Sequence, residues 1–190
     1  VELNEKTLGI VGLGRIGREI AKRANAMGMH CLGYDPFISR ERAVQLGVES
    51  ASLDELFRAS DFITVHTPLI KETRHIINPK SIATMKDGVR IINCARGGII
   101  DEKALYDAVK SGKVAGAALD VFEEEPPLNS ALLTLDQVIT TPHLGASTVE
   151  AQTNVAVSIA KQCGAVLKGG SAKYIVNAPI VPAEVADTIE

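Results

Sequence analysis

The sequence predicts an α/β fold: a doubly wound, mostly parallel sheet covered by helices. Three observations carry that prediction. Short strand-like runs, mostly apolar, among them Leu8–Val11, Phe62–Val65 and Val89–Asn93, alternate with segments of helical periodicity, as strands buried on both faces do. The first run turns into a helical pattern through Gly12-Leu13-Gly14-Arg15-Ile16-Gly17. A second run, Cys31–Tyr34, follows that helix and closes on Asp35.

The elements follow in order. Ile16, Ile20, Ala21, Ala24 and Met27 recur at helical spacing, and Gly28 supplies a stop; they make the expected buried stripe of the first helix. A helical stretch runs from about Ser39 to Leu46, with a short strand near Val48. Ser52 and Glu55 form a capping box that opens a helix through Phe57. Phe62–Val65 is a strand ending in His66-Thr67-Pro68, and Pro79–Met85 a short helix before the strand Val89–Asn93. Asp101 opens a helix with Ala104, Leu105, Ala108 and Val109 inward and Gly112 at its end. Strands at Val114–Leu119 and Val138–Thr140 come next. Ser147 and Glu150 form a second expected capping box. It opens a long helix over 148–168 with Val155, Ala156, Ile159, Ala160, Cys163, Val166 and Leu167 on its buried side, ended by Gly169-Gly170.

A strand that becomes a helix through three such glycines is the fingerprint of a Rossmann-type dinucleotide-binding unit. Gly12 permits the tight turn, Gly14 lets backbone approach a pyrophosphate, and Gly17 lets helix and strand pack closely. The free amides and positive dipole end of the helix then hold the phosphates. Asp35 stands 18 positions after Gly17, near the ~20 expected of the acid that binds the adenosine ribose. That carboxylate repels a 2′-phosphate, and Pro36 and Phe37 rather than an arginine follow it, so NAD is expected over NADP.

Length and composition bound the rest. The 190 residues suit one domain or slightly more. A 46% hydrophobic content and a net charge of −3 describe an ordinary globule, with no basic tract for nucleic acid or a membrane surface. No apolar stretch is long enough to span a bilayer, and no signal-peptide pattern opens the chain. Cys31, Cys94 and Cys163 are far apart without a CxxC pair; they are expected as reduced thiols of a cytoplasmic protein, and no metal site is expected. The chain begins at Val1 without a methionine and reads as a piece of something longer.

Ligands of doubly wound sheets bind beyond the carboxyl ends of the strands. Those ends carry Asp35, His66-Thr67-Pro68, Asn93-Cys94-Ala95-Arg96-Gly97-Gly98, Asp120, Glu123-Glu124-Glu125-Pro126-Pro127 and Thr141-Pro142-His143-Leu144-Gly145. One arginine, one glutamate and one histidine thus come from separate strand ends, a set suited to hydride chemistry on a hydroxy acid. The arginine would hold a carboxylate, the imidazole would take the hydroxyl proton, and the glutamate would orient the imidazole. Spacing does not choose among Glu123, Glu124 and Glu125. His66 is expected to be structural, and His30 and His75, with no polar company in sequence, structural or exposed.

These motifs carry a resemblance. Gly12–Gly17, Tyr34-Asp35-Pro36, Val65–Pro68, Asn93–Gly98, the block from Ala118-Leu119-Asp120-Val121-Phe122 to Glu125-Pro126-Pro127, and Pro142-His143-Leu144-Gly145-Ala146-Ser147-Thr148 resemble the D-isomer-specific 2-hydroxyacid dehydrogenases. The wording of the Asn93 and His143 loops is similar to the family's phosphoglycerate branch. The resemblance runs from Val1 to about Ala178 and implies Arg96, Glu125 and His143 as the catalytic set. It places Gly12, Gly14, Arg15, Ile16 and Gly17 at the pyrophosphate, Asp35 on the ribose and Thr67 near the adenosine half. Cys94, Ala95, Arg96, Asp120, His143, Gly145 and Ala146 fall around the nicotinamide. The implied reaction oxidises D-3-phosphoglycerate to 3-phosphohydroxypyruvate with NAD, at the entry to serine biosynthesis, in a homo-oligomer.

The resemblance also implies a substrate domain, built largely from an N-terminal segment, that this chain lacks. Residues 1–170 are then the dinucleotide-binding domain, 148–168 its last long helix leading back toward the substrate domain, and 171–190 a C-terminal connection. NAD binding with little turnover is expected of the chain alone. An NAD-sensing corepressor-like interaction protein is the alternative on the same scaffold. A glycine-rich methyltransferase-like fold would explain Gly12–Gly17 but not Arg96, Glu125 and His143.

Overall fold

The right-handed preference of parallel crossovers decides how this alternating chain folds. In the computed structural model, which describes residues 1–172 and residue 175, one sheet holds seven strands in the order β3-β2-β1-β4-β5-β6-β7. The strands are β1 (Thr7–Val11), β2 (His30–Tyr34), β3 (Glu49–Ser50), β4 (Phe62–Val65), β5 (Val89–Asn93), β6 (Val114–Leu119) and β7 (Val138–Thr140). Every pairing is parallel. Between the strands lie α1 (Arg15–Ala26), α2 (Arg40–Gln45), α3 (Leu53–Ala59), α4 (Pro79–Thr84) and α5 (Glu102–Lys110). A 3-10 turn at Ala131–Thr134 has no periodicity in the sequence to mark it.

The chain steps one way from β1 to β3 and the other way from β4 to β7. Right-handed crossovers therefore lay α1 and α2 on one face and α3, α4 and α5 on the other. Two buried clusters match: Ile10, Leu13, Ala21, Ala24, Cys31, Ala43 and Val48 in one, and Leu56, Phe57, Ile63, Ile91, Leu105, Val109 and Val114 in the larger. The same rule leaves β5–β7 with only one helical layer. Ile92 is half-buried and Ile139 is 69% exposed, so the expected cover of both faces is incomplete among the described residues.

The first helix departs from its expected stripe. The buried stripe of α1 is Gly17, Ala21 and Ala24, whereas Ile16 and Met27 are 62% and 57% exposed. A Cβ on Gly17 would run into the backbone carbonyl oxygen of Gly12. The helix thus seats on its smallest residues with Ile20 packed beside them, and Ile16 and Met27 swing outward.

The chain divides into two compact units, Val1–His143 and Leu144–Glu190. The second contains α6 (Val149–Leu167). Its cap is Thr148, whose Oγ1 accepts from Ala151 N at 3.1 Å, not Ser147, whose own N–H is bonded to the Leu144 carbonyl at 2.9 Å. No residue of α6 is buried; Val155, Ile159, Val166 and Leu167 are all exposed, and Val157 lies across the helix from Val155, so the apolar residues ring the helix rather than forming one inward side. The C-terminal connection over 171–190 lies outside the described residues except for Ser171, Ala172 and Ile175. Among the described residues no helix is long and apolar enough to cross a membrane.

Candidate functional site

Strand register aligns the candidate residues. Tyr34 pairs with Val11, Val11 with Val65, Val65 with Asn93, Asn93 with Leu119 and Leu119 with Thr140. That row is the last of the sheet, and the next residues of its strands are Asp35, Gly12, His66, Cys94, Asp120 and Thr141. The order reverses between β1 and β4, which opens the crevice where such sheets bind nucleotides.

The glycine loop sits at that crevice. Gly12 has φ +97°, and a Cβ there would come within 2.7 Å of the His66 carbonyl oxygen. Only glycine meets both demands at no cost. A Cβ on Gly14, by contrast, would meet no protein atom within 4 Å, leaving room for a ligand at the N-terminus of α1, with Arg15 and the exposed Ile16 directly after it. Asp35 does more than the sequence announces: Oδ2 accepts from Leu13 N at 2.8 Å and Oδ1 from Phe37 N at 2.9 Å. It therefore fixes the glycine loop from the neighbouring strand while keeping lone pairs for ribose hydroxyls. Across the crevice, Thr67 Oγ1 is buried with no hydrogen-bond partner among the described residues. An orphaned buried hydroxyl is rare, and together with the open approach at Gly14 it fits an adenine dinucleotide laid over this rim. His66 is turned away from such work. Its Nε2 bonds Thr64 Oγ1 at 2.9 Å, and burial pushes its imidazole below the ordinary value, so it stays neutral and structural.

The other half of the rim is held by side chains. Asn93, 2% exposed, accepts from Ala95 N at 3.0 Å and donates to the Arg96 carbonyl at 2.9 Å, which shapes the turn carrying Cys94, Ala95 and Arg96. A Cβ on Gly97 would collide with the Phe122 carbonyl, so this turn lies directly on the loop after β6. Arg96 is exposed, and its Nη1 donates to the Ala95 carbonyl at 2.6 Å. Asp120 is 5% exposed and accepts from Thr141 Oγ1. Burial, and then the Asp120 carboxylate, raise the Cys94 thiol above its ordinary value, keeping it protonated and a poor nucleophile. Cys31, Cys94 and Cys163 are free.

Glu125 and His143 meet. His143 Nδ1 and Glu125 Oε2 are 2.8 Å apart, and Phe122 N donates to Glu125 Oε1 at 3.1 Å. The His143 bond first, and the Phe122 amide second, hold the Glu125 carboxyl below its ordinary value. His143 lies in the left-handed region at φ 56°, a conformation an L-residue keeps only where its surroundings impose it. Glu123 has a different partner: its Oε1 is 2.9 Å from His75 Nε2. His30 likewise pairs with Glu49 at 3.0 Å. Both histidines thus have the acidic company that sequence neighbours did not reveal. Gly145 and Ala146 belong to the second unit, in the turn before α6, with Ala146 at φ 63°.

Three of these features escape sequence reasoning: the Asn93 brace, the Thr141 bond to Asp120 and the His75–Glu123 pair. Only Asn93 leaves a signal, since an Asn before a glycine-rich turn commonly bonds the backbone two residues on.

A family model described as "D-isomer specific 2-hydroxyacid dehydrogenase, NAD binding domain" matches residues 1–145. The D-3-phosphoglycerate dehydrogenase of Methanocaldococcus jannaschii is 56% identical over 185 residues, which cover 97% of this chain and 35% of that protein. That of Bacillus subtilis is 56% identical over 178 residues, 94% of this chain and 34% of the relative. Among solved structures, the D-lactate dehydrogenase of Aquifex aeolicus, complexed with NAD and lactic acid, superposes with a TM-score of 0.79 at 40% identity over 89% of this chain and 55% of that one. The chain therefore spans about a third of the length of the curated relatives it matches. The corepressor reading finds no support in these matches. Glycine loop, sheet order and sequence agree: this chain belongs to the NAD-binding domain family of the D-isomer specific 2-hydroxyacid dehydrogenases.

Proposed function

We propose that this chain is the coenzyme-binding part of a dehydrogenase that oxidises D-3-phosphoglycerate to 3-phosphohydroxypyruvate, with Arg96, Glu125 and His143 as its catalytic residues. The observation that carries the reading is the 2.8 Å bond between His143 Nδ1 and Glu125. With its Nδ1–H donating a hydrogen bond to Glu125, a neutral imidazole presents the lone pair of Nε2 to the substrate. The substrate hydroxyl loses its proton to Nε2 as the C2–H bond breaks, and Glu125 stabilises the imidazolium that forms. Bound NAD supplies the hydride acceptor. Arg96, on the adjoining loop, holds the substrate carboxylate through a planar, two-pronged donor face. Gly12, Gly14, Arg15, Ile16, Gly17, Asp35 and Thr67 hold the adenosine and pyrophosphate half. Cys94, Ala95, Asp120, Gly145 and Ala146 border the nicotinamide.

Residues 1–170 act as the coenzyme domain, with 171–190 connecting onward, in a cytoplasmic homo-oligomeric enzyme whose remaining part recognises the phosphate. The names of the relatives support this substrate over other 2-hydroxy acids. Two experiments test it. Calorimetry on the chain alone should register NAD binding, and mixing it with NAD and 3-phosphoglycerate should yield almost no NADH. Grafted in place of the matched third of the Bacillus subtilis relative, the chain should restore NADH formation, and replacing His143 with Ala should abolish it. A folded chimera that binds NAD yet never oxidises 3-phosphoglycerate would refute the reading.

A further inference from the structure

Adjacent strands and the close approach of Gly97 to Phe122 already bring the acid loop beside the arginine loop. A third segment ties them. His75–Ile77 runs beside 98–101: His75 N donates to the Gly98 carbonyl at 2.9 Å, Ile77 N to Ile99 at 3.4 Å, and Asp101 N to Ile77 at 2.9 Å. Asp101 caps α5, and the first residue of that helix, Glu102, accepts from Glu123 N through Oε1 at 2.6 Å. Glu123 then reaches back to His75 Nε2 at 2.9 Å. The circuit closes on itself: 75 to 98, 98 along the chain to 102, 102 to 123, and 123 to 75. Arg96 sits two residues before one corner, and Glu125 two residues after another.

We propose that His75, Glu102 and Glu123 are positioning residues that fasten the acid loop to the arginine loop and so hold Glu125 against His143. The inference rests on the reading of Arg96, Glu125 and His143 as the acid–base set. An ordinary surface contact of this kind would contribute little, but this one is about two-thirds covered, the His75 and Glu123 side chains being 34% and 35% exposed. Burial first, and the nearby Glu123 charge as well, hold the Glu102 carboxyl above its ordinary value. A half-buried acid facing another acid is costly to keep unless its contact matters, and that contact is the amide that begins the acid loop. Three chain segments distant in sequence thus meet at Gly98 and Glu123, each two residues from a candidate catalytic side chain.

Carbon-detected NMR on the 190-residue chain can follow the Glu125 carboxyl through its titration. Its lowered value reports the His143 and Phe122 bonds directly. Glu102→Ala and Glu123→Ala should each move it back up by roughly half a unit or more as those bonds loosen, while Glu102→Gln, which keeps an acceptor for Glu123 N, leaves it in place. Removing the Glu123 charge by Coulomb's law alone would shift Glu125 the opposite way, so the sign separates positioning from electrostatics. A drop in melting temperature without that upward shift marks a merely structural brace and overturns the proposal. Should an alanine variant fail to fold, His75→Asn serves instead: Asn tolerates the left-handed backbone at φ 49° but is shorter, and it should give the same upward shift. An unmoved Glu125 in this variant overturns the proposal equally. Because this titration needs no hydride transfer, an inactive chimera would sink the proposed reaction and leave the brace standing, and an active chimera with an unmoved Glu125 would do the reverse.

Discussion

The two halves of the rim solve one problem by different means. On the β1–β2 side, position is set by backbone: Gly12 in the left-handed region, Gly17 against the Gly12 carbonyl, and a bare Gly14 at the helix start. On the β5–β7 side it is set by side chains: Asn93 across its own turn, and, between distant segments, Thr141 to Asp120, Glu125 to His143 and Glu123 to His75. A phosphate site needs several amides and little discrimination between them. An acid–base site needs one proton held in one place, which backbone alone does not provide. Coenzyme binding should therefore fail through main-chain crowding and chemistry through lost side-chain bonds.

The largest expected effect tests the glycine half. Gly17→Ala forces a methyl into the Gly12 carbonyl, and the helix must lift from the strand, at about 2–3 kcal/mol. Melting temperature should fall by roughly 5–10 °C, and NAD binding should weaken with it. Gly14→Ala has open space, so the melting temperature should hold while NAD affinity drops. Thermal melts with and without NAD separate the two. If Gly14→Ala binds NAD as tightly as the native chain, the pyrophosphate does not lie against Gly14. Gly97→Ala is the counterpart on the other half. Its clash is with the Phe122 carbonyl, so it should disturb the Glu125 loop and leave NAD binding comparatively intact.

A smaller effect lies at Asp35, where the halves share a method. Its carboxylate braces Leu13 N and, in the proposed complex, accepts from the ribose. Asp35→Ala loses both, whereas Asp35→Asn keeps an acceptor but removes the charge. Losing a charge-assisted bond of about 1.5–3 kcal/mol should weaken NAD roughly ten- to a hundredfold. NADP, which the carboxylate repels, should lose much less, and with Asn it should lose least. Equal losses for both coenzymes in a binding titration would leave Asp35 only its role in the loop.

This asymmetry also explains what the sequence made legible. Glycine rules are local: a turn, a φ above zero and a close approach are readable from six consecutive residues, and so was the strand-end rule that gathered the candidates. Bonds between residues 18 to 48 positions apart, such as Glu125–His143 and His75–Glu123, have no local signature. For that reason spacing left three glutamates open where the structure pairs Glu125 with His143 and Glu123 with His75. Periodicity likewise placed Ile16 and Met27 inward, because a 3.6-residue count registers apolar character and not how near a glycine lets the helix come. The cap of α6 moved from Ser147 to Thr148 for a similar reason: both hydroxyls have the right chemistry, and the Leu144 turn decides between them.

The smallest effect is a difference in sign between two acids of the same corner. Glu125 has a folded value below the ordinary one, so it stabilises above the unfolded value, and that contribution is lost as pH falls through its lowered folded value. Glu102 is shifted up; its charged form is disfavoured in the fold, so it subtracts stability as pH rises from the ordinary carboxylate range through its raised value. Glu125→Gln should thus lower stability at neutral pH, by only about 0.3 kcal/mol because its side chain is 38% exposed and screened by water. Glu102→Gln should be neutral or stabilising by about 0.5 kcal/mol at neutral pH, and the gain should vanish near pH ~4, where the native acid is already protonated. Urea midpoints at both pH values measure the two variants side by side. Variants that shift in the same direction at neutral pH would mean that the two carboxyls share one environment, and that the contrast between an acid kept charged for His143 and an acid kept for an amide is wrong.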